Sequence, residues 1–320
     1  MKRIFALSLL LVLCLAGTAF AAYPDKPVTF VVGFAPGGTA DVSVRMLADR
    51  MQKALGQPIV IQNKGGAGGI VGLESVLRSK ADGYTVYAGA PFVAVSSSYF
   101  LSKTPISLDS MDMVGGYMPQ ERCLFVPMDA PYATWEEFVA YVKANPGKVS
   151  IGSGASQWSM DLLKALAHKD GLDYNLVMYK SGGEASSDFF GGHIQAVELG
   201  VGTPVYQAAR EGKARLIVDL ASDTVPFFED TPTLLSKGYP WAVFTLYGMA
   251  VPKGTPEEVR GVLEAALKAA MDDEELVALM KNAGYVPQYQ SGAEHMAKCK
   301  EGISNIESLL EYLKDNGLQE

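Results

Sequence analysis

Histidine and cysteine are scarce in this chain, and their scarcity removes most metal and nucleophile chemistry. The 3 histidines, His168, His193 and His295, form no His-x-x-x-His pair and no glutamate-matched helical motif, so no zinc-type ligand set is expected. The 3 cysteines, Cys14, Cys123 and Cys299, lie too far apart for a zinc or dithiol redox motif. No serine stands in Gly-x-Ser-x-Gly, which removes the usual esterase elbow. The glycine cluster Gly65-Gly66-Ala67-Gly68-Gly69 lacks the Lys-Ser/Thr that closes a phosphate-binding loop. Val71 also fills the last glycine position of Gly-x-Gly-x-x-Gly. Basic residues are outnumbered, 27 against 35 acidic, for a formal charge of −8. That balance is wrong for a nucleic-acid partner. Beyond the N-terminus no run is apolar for long enough to span a bilayer, and there is no solenoid-length repeat or low-complexity segment. Neither a cofactor nor a metal is expected, and catalysis is not expected either.

The first residues carry an address. Lys2 and Arg3 precede an apolar run from Ile4 to Ala16 and the small-residue exit Ala19-Phe20-Ala21. This is the layout of a secretory signal peptide over residues 1–21, cleaved near Ala21, and it predicts a periplasmic protein. A membrane anchor would need a longer run. Lipidation would use Cys14, but Leu13 precedes it where a small residue is wanted. Losing Lys2 and Arg3 takes the formal charge from −8 to −10. Any anion this protein holds is then held by local dipoles against its overall field. Export permits a disulfide between Cys123 and Cys299, and the sequence leaves paired and free thiols both open.

Periodicity predicts an α/β chain with mostly parallel sheets flanked by helices. Val28–Val32 is an apolar strand. After Thr39, Val44, Leu47, Ala48, Met51, Ala54 and Leu55 fall on one helical face, and Gly56 stops the helix. Strands at 59–62 and 84–89, with a helix between them, complete one set. A second set runs through helix 135–145, strand 149–151, helix 160–169, strand 176–179, a helix from Ser186, and strands 196–199 and 215–219. Strand 245–251 and helices from Pro256, over 274–282 and over 293–315 close the chain. Two such sets, each with glycine-rich turns after its strands, predict two lobes facing one cleft.

Two turns stand out as candidate ligand contacts. Phe34-Ala35-Pro36-Gly37-Gly38-Thr39, between a strand and a helix opening near Asp41, exposes backbone N–H groups beside the positive end of a helix dipole. Asp41 suits two structural roles, as a first-turn acid or as an acceptor that holds the loop's N–H groups in place. The second turn is Gly152-Ser153-Gly154-Ala155-Ser156-Gln157-Trp158-Ser159. Trp158 fits a pocket wall and a core anchor equally well. Gly68, within the glycine cluster, suits either a tight turn or a ligand contact. Lys180 and Gly182 follow another strand. Glu198 interrupts an apolar strand and so must face the cleft, face water or find a partner. His168 and His295 read as solvated helix-surface residues.

The order of these segments resembles a known family. YPDKPVTFVVGFAPGGTADVSVRMLA, LGQPIVIQNKGGAGGIVG, ADGYTVYAG, VMYKSGGEA, FGGHIQA, EGKARLIV, DTPTL and YGMAVPKGTPEEV are similar to the substrate-binding proteins of tripartite tricarboxylate transporters, the Bug family. The resemblance implies a two-lobed, hinged periplasmic-binding-protein fold of type II-like architecture. Lobe 1 would comprise residues 22–125 with about 247–290, and lobe 2 residues 126–246, with the C-terminal helix of 291–320 packing across both. It implies a monomer that captures a small organic carboxylate and passes it to a large and a small permease subunit. In that family this loop holds the ligand carboxylate through main-chain N–H groups, and the matching positions here are Pro36, Gly37, Gly38 and Thr39. The second loop departs from the family's Gly-Ser-x-Gly-x-Gly-Ser-x-x-His at Ala155, Gln157, Trp158 and Asp161, so the usual ligand does not carry over. An exported ligand sensor and an exported α/β enzyme are the alternative readings.

Overall fold

The computed structural model describes residues 23–318, apart from 103, 155, 222–224 and 226. The signal-peptide segment and Ala155 therefore lie outside the described residues. Strand β1 (Val28–Val32) is apolar on both faces and buried, and it leads into helix α1 (Thr39–Leu55). Val44, Leu47, Ala48, Met51 and Leu55 bury one stripe of α1, while Gly56 closes it in the left-handed region at φ 66°. Ala54, expected on that stripe, is exposed. Strand β2 (Ile59–Asn63), a 3-10 turn at Ala67–Gly69, helix α2 (Ile70–Leu77) and strand β3 (Thr85–Gly89) follow. β1 pairs in parallel with both β2 and β3.

Between β3 and residue 135 the structure holds two elements with no clear period in the sequence. They are helix α3 (Pro91–Leu101) and the 17-residue strand β4 (Met111–Pro127). β4 is buried on both faces for most of its length, so polar and apolar residues do not alternate along it. It also carries Pro119, which cannot donate to a ladder, and a register shift between Gly116 and Met118 lets the strand continue.

The second set comprises α4 (Trp135–Ala144), β5 (Ser150–Gly154), α5 (Gln157–Asp170), β6 (Asn175–Tyr179), α6 (Gly182–Phe190), β7 (Ala196–Gly200), α7 (Pro204–Arg210) and β8 (Ala214–Asp219). β5 pairs in parallel with β6 and β7. The chain then returns through β9 (Phe244–Pro252), α8 (Glu257–Met271), α9 (Glu274–Asn282), the short β10 (Gln290–Ser291) and α10 (Gly292–Asp315).

One curled sheet runs β2-β1-β3-β9-β4-β7-β5-β6, with β8 and β10 also on β4. Parallel pairing holds in both flanks, while the joints around β4 and β9 are antiparallel. β4 changes partners between Glu121 and Arg122. Residues Met111 to Glu121 pair with β9, and Arg122 to Pro127 pair with β7 and β8. Side chains on either side of that change face a shared space. The last helix packs on β4, α5 and α3, and its start is fixed by a capping box between Ser291 and Glu294.

His295, expected at a helix surface, is instead fully buried on α10. Its ring lies against Gly116 and Gly248, where any Cβ would come within 2.4 Å of a ring nitrogen. Glycine on two neighbouring strands creates the slot, a tertiary feature that helical period alone does not show. His168 is exposed, and its Nδ1 is 2.9 Å from the Tyr312 hydroxyl. Cys123 and Cys299 are both buried free thiols.

Candidate functional site

The partner change in β4 opens a cleft of about 470 Å³ between the two halves of the sheet. From one side it is walled by the β1–α1 turn (Phe34, Gly38, Thr39, Ala40), Gly68 and α3. From the other side come Gly154, Ser156, Gln157, Trp158 and Met178, and the floor carries Gln120, Arg122 and Tyr247.

The β1–α1 turn is held by Asp41. The residue is 2% exposed, and its carboxylate accepts three hydrogen bonds: from Gly37 N to Oδ2 at 2.9 Å, from Arg45 Nε to Oδ2 at 3.0 Å and from Asn63 Nδ2 to Oδ1 at 2.8 Å. Arg45 Nη2 completes an ion pair, 2.9 Å from Oδ1. Asn63, at the end of β2, also donates to Phe34 O at 3.0 Å. The hydrogen bonds of Arg45, reinforced by Gly37 and Asn63, outweigh burial and hold the Asp41 carboxyl down at about 2. Gly37 takes φ 82°, and Gly38 caps α1 with no side-chain acceptor. The amides of Gly38, Thr39 and Ala40 are thereby left at the helix start without intrahelical partners. Asp41 braces this turn from behind; it does not line the cleft.

The second wall is the start of α5. Ser156 caps it, accepting from Ser159 N at 3.2 Å and from Ser159 Oγ at 2.8 Å. Gln157 lines the cleft and donates to Asp161 Oδ1 at 3.1 Å, so two of the positions that depart from the family pattern pair with each other. Trp158 fills both roles open to it. It is 5% exposed within the core, edge-to-face with Phe92 at 6.0 Å, and it lines the cleft. Two helix N-termini thus approach one space from opposite sides.

Of the predicted contact residues, Phe34, Gly38, Thr39, Gly68, Gly154, Ser156 and Trp158 line the cleft. Pro36 and Gly37 are exposed on the turn just outside it, and Lys180 is exposed, its N–H donating to Glu184. Ser153 and Ser159 are buried behind the lining. Gly182 backs Gly154 so closely that a Cβ on Gly154 would lie 2.8 Å from its Cα. Gly68, at φ 64°, is pressed against Ser97, another lining residue.

Arg122 and Gln120 were not among the predicted contacts. Arg122 is the one charged side chain among the lining residues. It forks onto Glu198, Nε to Oε1 at 2.5 Å and Nη2 to Oε2 at 2.7 Å, which is the partner that Glu198 required. Burial opposes the guanidinium charge, but the Glu198 charge and its hydrogen bonds outweigh that and raise the arginine above its ordinary value. Only the acid's half of the signal was legible: Glu198 in an apolar strand needs a partner, but the strand that carries Arg122 shows no period that would mark it.

A cleft between two α/β halves, with polar backbone from both, is the architecture of a solute-binding protein. Residues 43–314 match the model of the "Tripartite tricarboxylate transporter family receptor", and the chain belongs to that family. It is 32% identical to Protein BugT of Bordetella pertussis over 83% of this chain and 82% of that one. Among solved structures it is similar to a TctC solute-binding protein from Polaromonas, with TM-score 0.77, 27% identity and coverage of 90% of this chain and 99% of that one. It is likewise similar to MatC from Rhodopseudomonas palustris with bound malate, with TM-score 0.72, 27% identity and the same coverage. Among the described residues no helix is long and apolar enough to cross a membrane.

Proposed function

We propose that this protein is an exported, periplasmic receptor that captures a small organic carboxylate in the cleft and delivers it to a membrane permease pair. It acts as a monomer. The two halves of the sheet act as lobes that close on the ligand about the partner change in β4 and the start of β9. The observation that carries this reading is the pairing of opposed helix starts, α1 and α5, over a cleft with no unpaired acid in its lining. One carboxylate oxygen accepts from the amides of Gly38, Thr39 and Ala40. Each helix end contributes roughly 0.3–1 kcal/mol toward an anion, and up to about 2 kcal/mol where partly buried. The malate-bound relative supports the carboxylate class.

Capture needs no bond breaking. The test is thermal unfolding of the mature protein with a panel of mono-, di- and tricarboxylates. A ligand at a hundred times its Kd stabilises by about 2.7 kcal/mol, and at least one acid is expected to raise Tm by several degrees. No shift with any acid, together with turnover of an ester or phosphate, overturns the reading. Gly38→Pro gives a second check. Gly38 already has φ −78°, so proline fits there and chiefly removes one N–H. Affinity for the best acid is expected to fall at least tenfold with stability little changed.

A further inference from the structure

Arg122 is charged, nearly buried and mostly committed. Its Nε and Nη2 are both spent on Glu198. Ser153 adds a third donor to the same carboxylate, at 2.6 Å from Oε2. Glu198 is fully buried and Arg122 keeps 11% of its side-chain surface. A fork of this kind fixes the plane and direction of the guanidinium. The pair is close to neutral as a unit, so it acts at short range through a directed donor and not through net charge.

That donor is Nη1, which has no acceptor among the described residues. The neighbouring floor groups are already engaged. Gln120 donates to Val201 O at 2.9 Å and accepts from the Tyr247 hydroxyl at 3.3 Å. Arg122 lines the cleft and keeps some exposed surface, so its free N–H is solvated until a ligand's acceptor takes the place of water. The fixed plane of the fork sets the direction from which that acceptor must come. Phe34, Phe100 and Trp158 add apolar surface to the cleft lining.

We infer that Arg122 is a specificity-determining residue, selecting carboxylates with a second oxygen acceptor separated from the first carboxylate by a short apolar segment. The acceptor is a carbonyl, hydroxyl or second carboxylate that meets Nη1 while the first carboxylate meets the helix starts. Ser153 and Glu198 are positioning residues that act through Arg122. The inference rests on the carboxylate reading of the cleft proposed above.

The test is calorimetric titration of the mature protein with two matched series: valerate, levulinate and glutarate, then benzoate, 4-acetylbenzoate and terephthalate. Removing Arg122 alone strands a buried Glu198, so the variant is the neutral pair Arg122→Gln with Glu198→Gln, and Arg122→Lys is a second, charge-retaining variant. The wild type is expected to bind an acceptor-bearing member of at least one series more tightly than its parent acid. The neutral pair, and Arg122→Lys to a lesser degree, should weaken that member by roughly tenfold to a hundredfold and the parent acid little. Wild-type binding without discrimination, or discrimination that survives both variants, overturns the role of Arg122 and leaves the carboxylate reading standing. No binding of any of these acids by the wild type overturns this inference, while the carboxylate reading is decided by the wider acid panel above.

Discussion

Replacing Asp41 with asparagine tests how the ligand-facing turn is built. The folded carboxyl sits at about 2 against an ordinary 3.8. A difference of that size corresponds to about 2 kcal/mol favouring the folded, ionised state at neutral pH. Arg45, its largest partner, is 51% exposed and screened by solvent, which reduces the expected loss to about 1–2 kcal/mol. In a chain of this size each kcal/mol moves Tm by roughly 2–4 °C, so Asp41→Asn should melt about 2–8 °C lower at pH 7. The pH dependence follows from the direction of the shift. The folded carboxyl is the stronger acid, so its contribution is complete above pH 3.8 and is lost as pH falls from there toward about 2. Scanning calorimetry of both proteins at pH 7, 5 and 3 should show a gap that holds at pH 5 and narrows at pH 3. Equal Tm at pH 7, or an undiminished gap at pH 3, would refute the assignment of Asp41 as the brace of the turn. Because the brace also orders the turn that presents Gly38 and Thr39, carboxylate affinity should fall in parallel.

Gly68→Ala places a Cβ 2.4 Å from Ser97 Oγ at a φ of 64°. It should lower stability by about 1–3 kcal/mol and weaken ligand binding through displacement of Ser97, read by urea unfolding and titration. A change confined to stability would separate Gly68 from the cleft. Burial lowers His295 to about 4 from its usual 6.5, so the neutral ring is favoured by folding. Its contribution is present above pH 6.5 and lost as pH falls toward 4, up to about 3 kcal/mol. Urea unfolding between pH 7 and 4.5 should therefore fall more steeply for the wild type than for His295→Gln, and parallel profiles would contradict this. Burial pushes the Cys123 and Cys299 thiols well up, so neither should react with a thiol reagent until the protein is denatured. Fast labelling of the native protein would show that one of them is accessible.

Local order was largely legible in the sequence because local physics decides it. The stripe Val44-Leu47-Met51-Leu55 and the stop at Gly56 follow from helical period and left-handed glycine. The glycine turns after β1 and β5 follow from strands that must end beside helix starts. Strand β4 was not legible, because burial on both faces erases alternation and because Pro119 and the charges at Glu121 and Arg122 read as loop. The slot for His295 was equally hidden, since it is made by Gly116 and Gly248 from two other strands.

By itself, the sequence settles the α/β class and the family, and it marks the glycine turn at Phe34–Asp41 ahead of a helix start. Each of these is written in contiguous residues whose period and turn chemistry act over a few positions. Tertiary structure alone decides the floor of the cleft. Arg122 and Glu198 are 76 residues apart and meet because β4 runs antiparallel to β7. That pairing sets which nitrogen of the guanidinium is spent and which remains for a ligand. A buried charge is defined by its partner, and the partner here is set by strand pairing across the sheet.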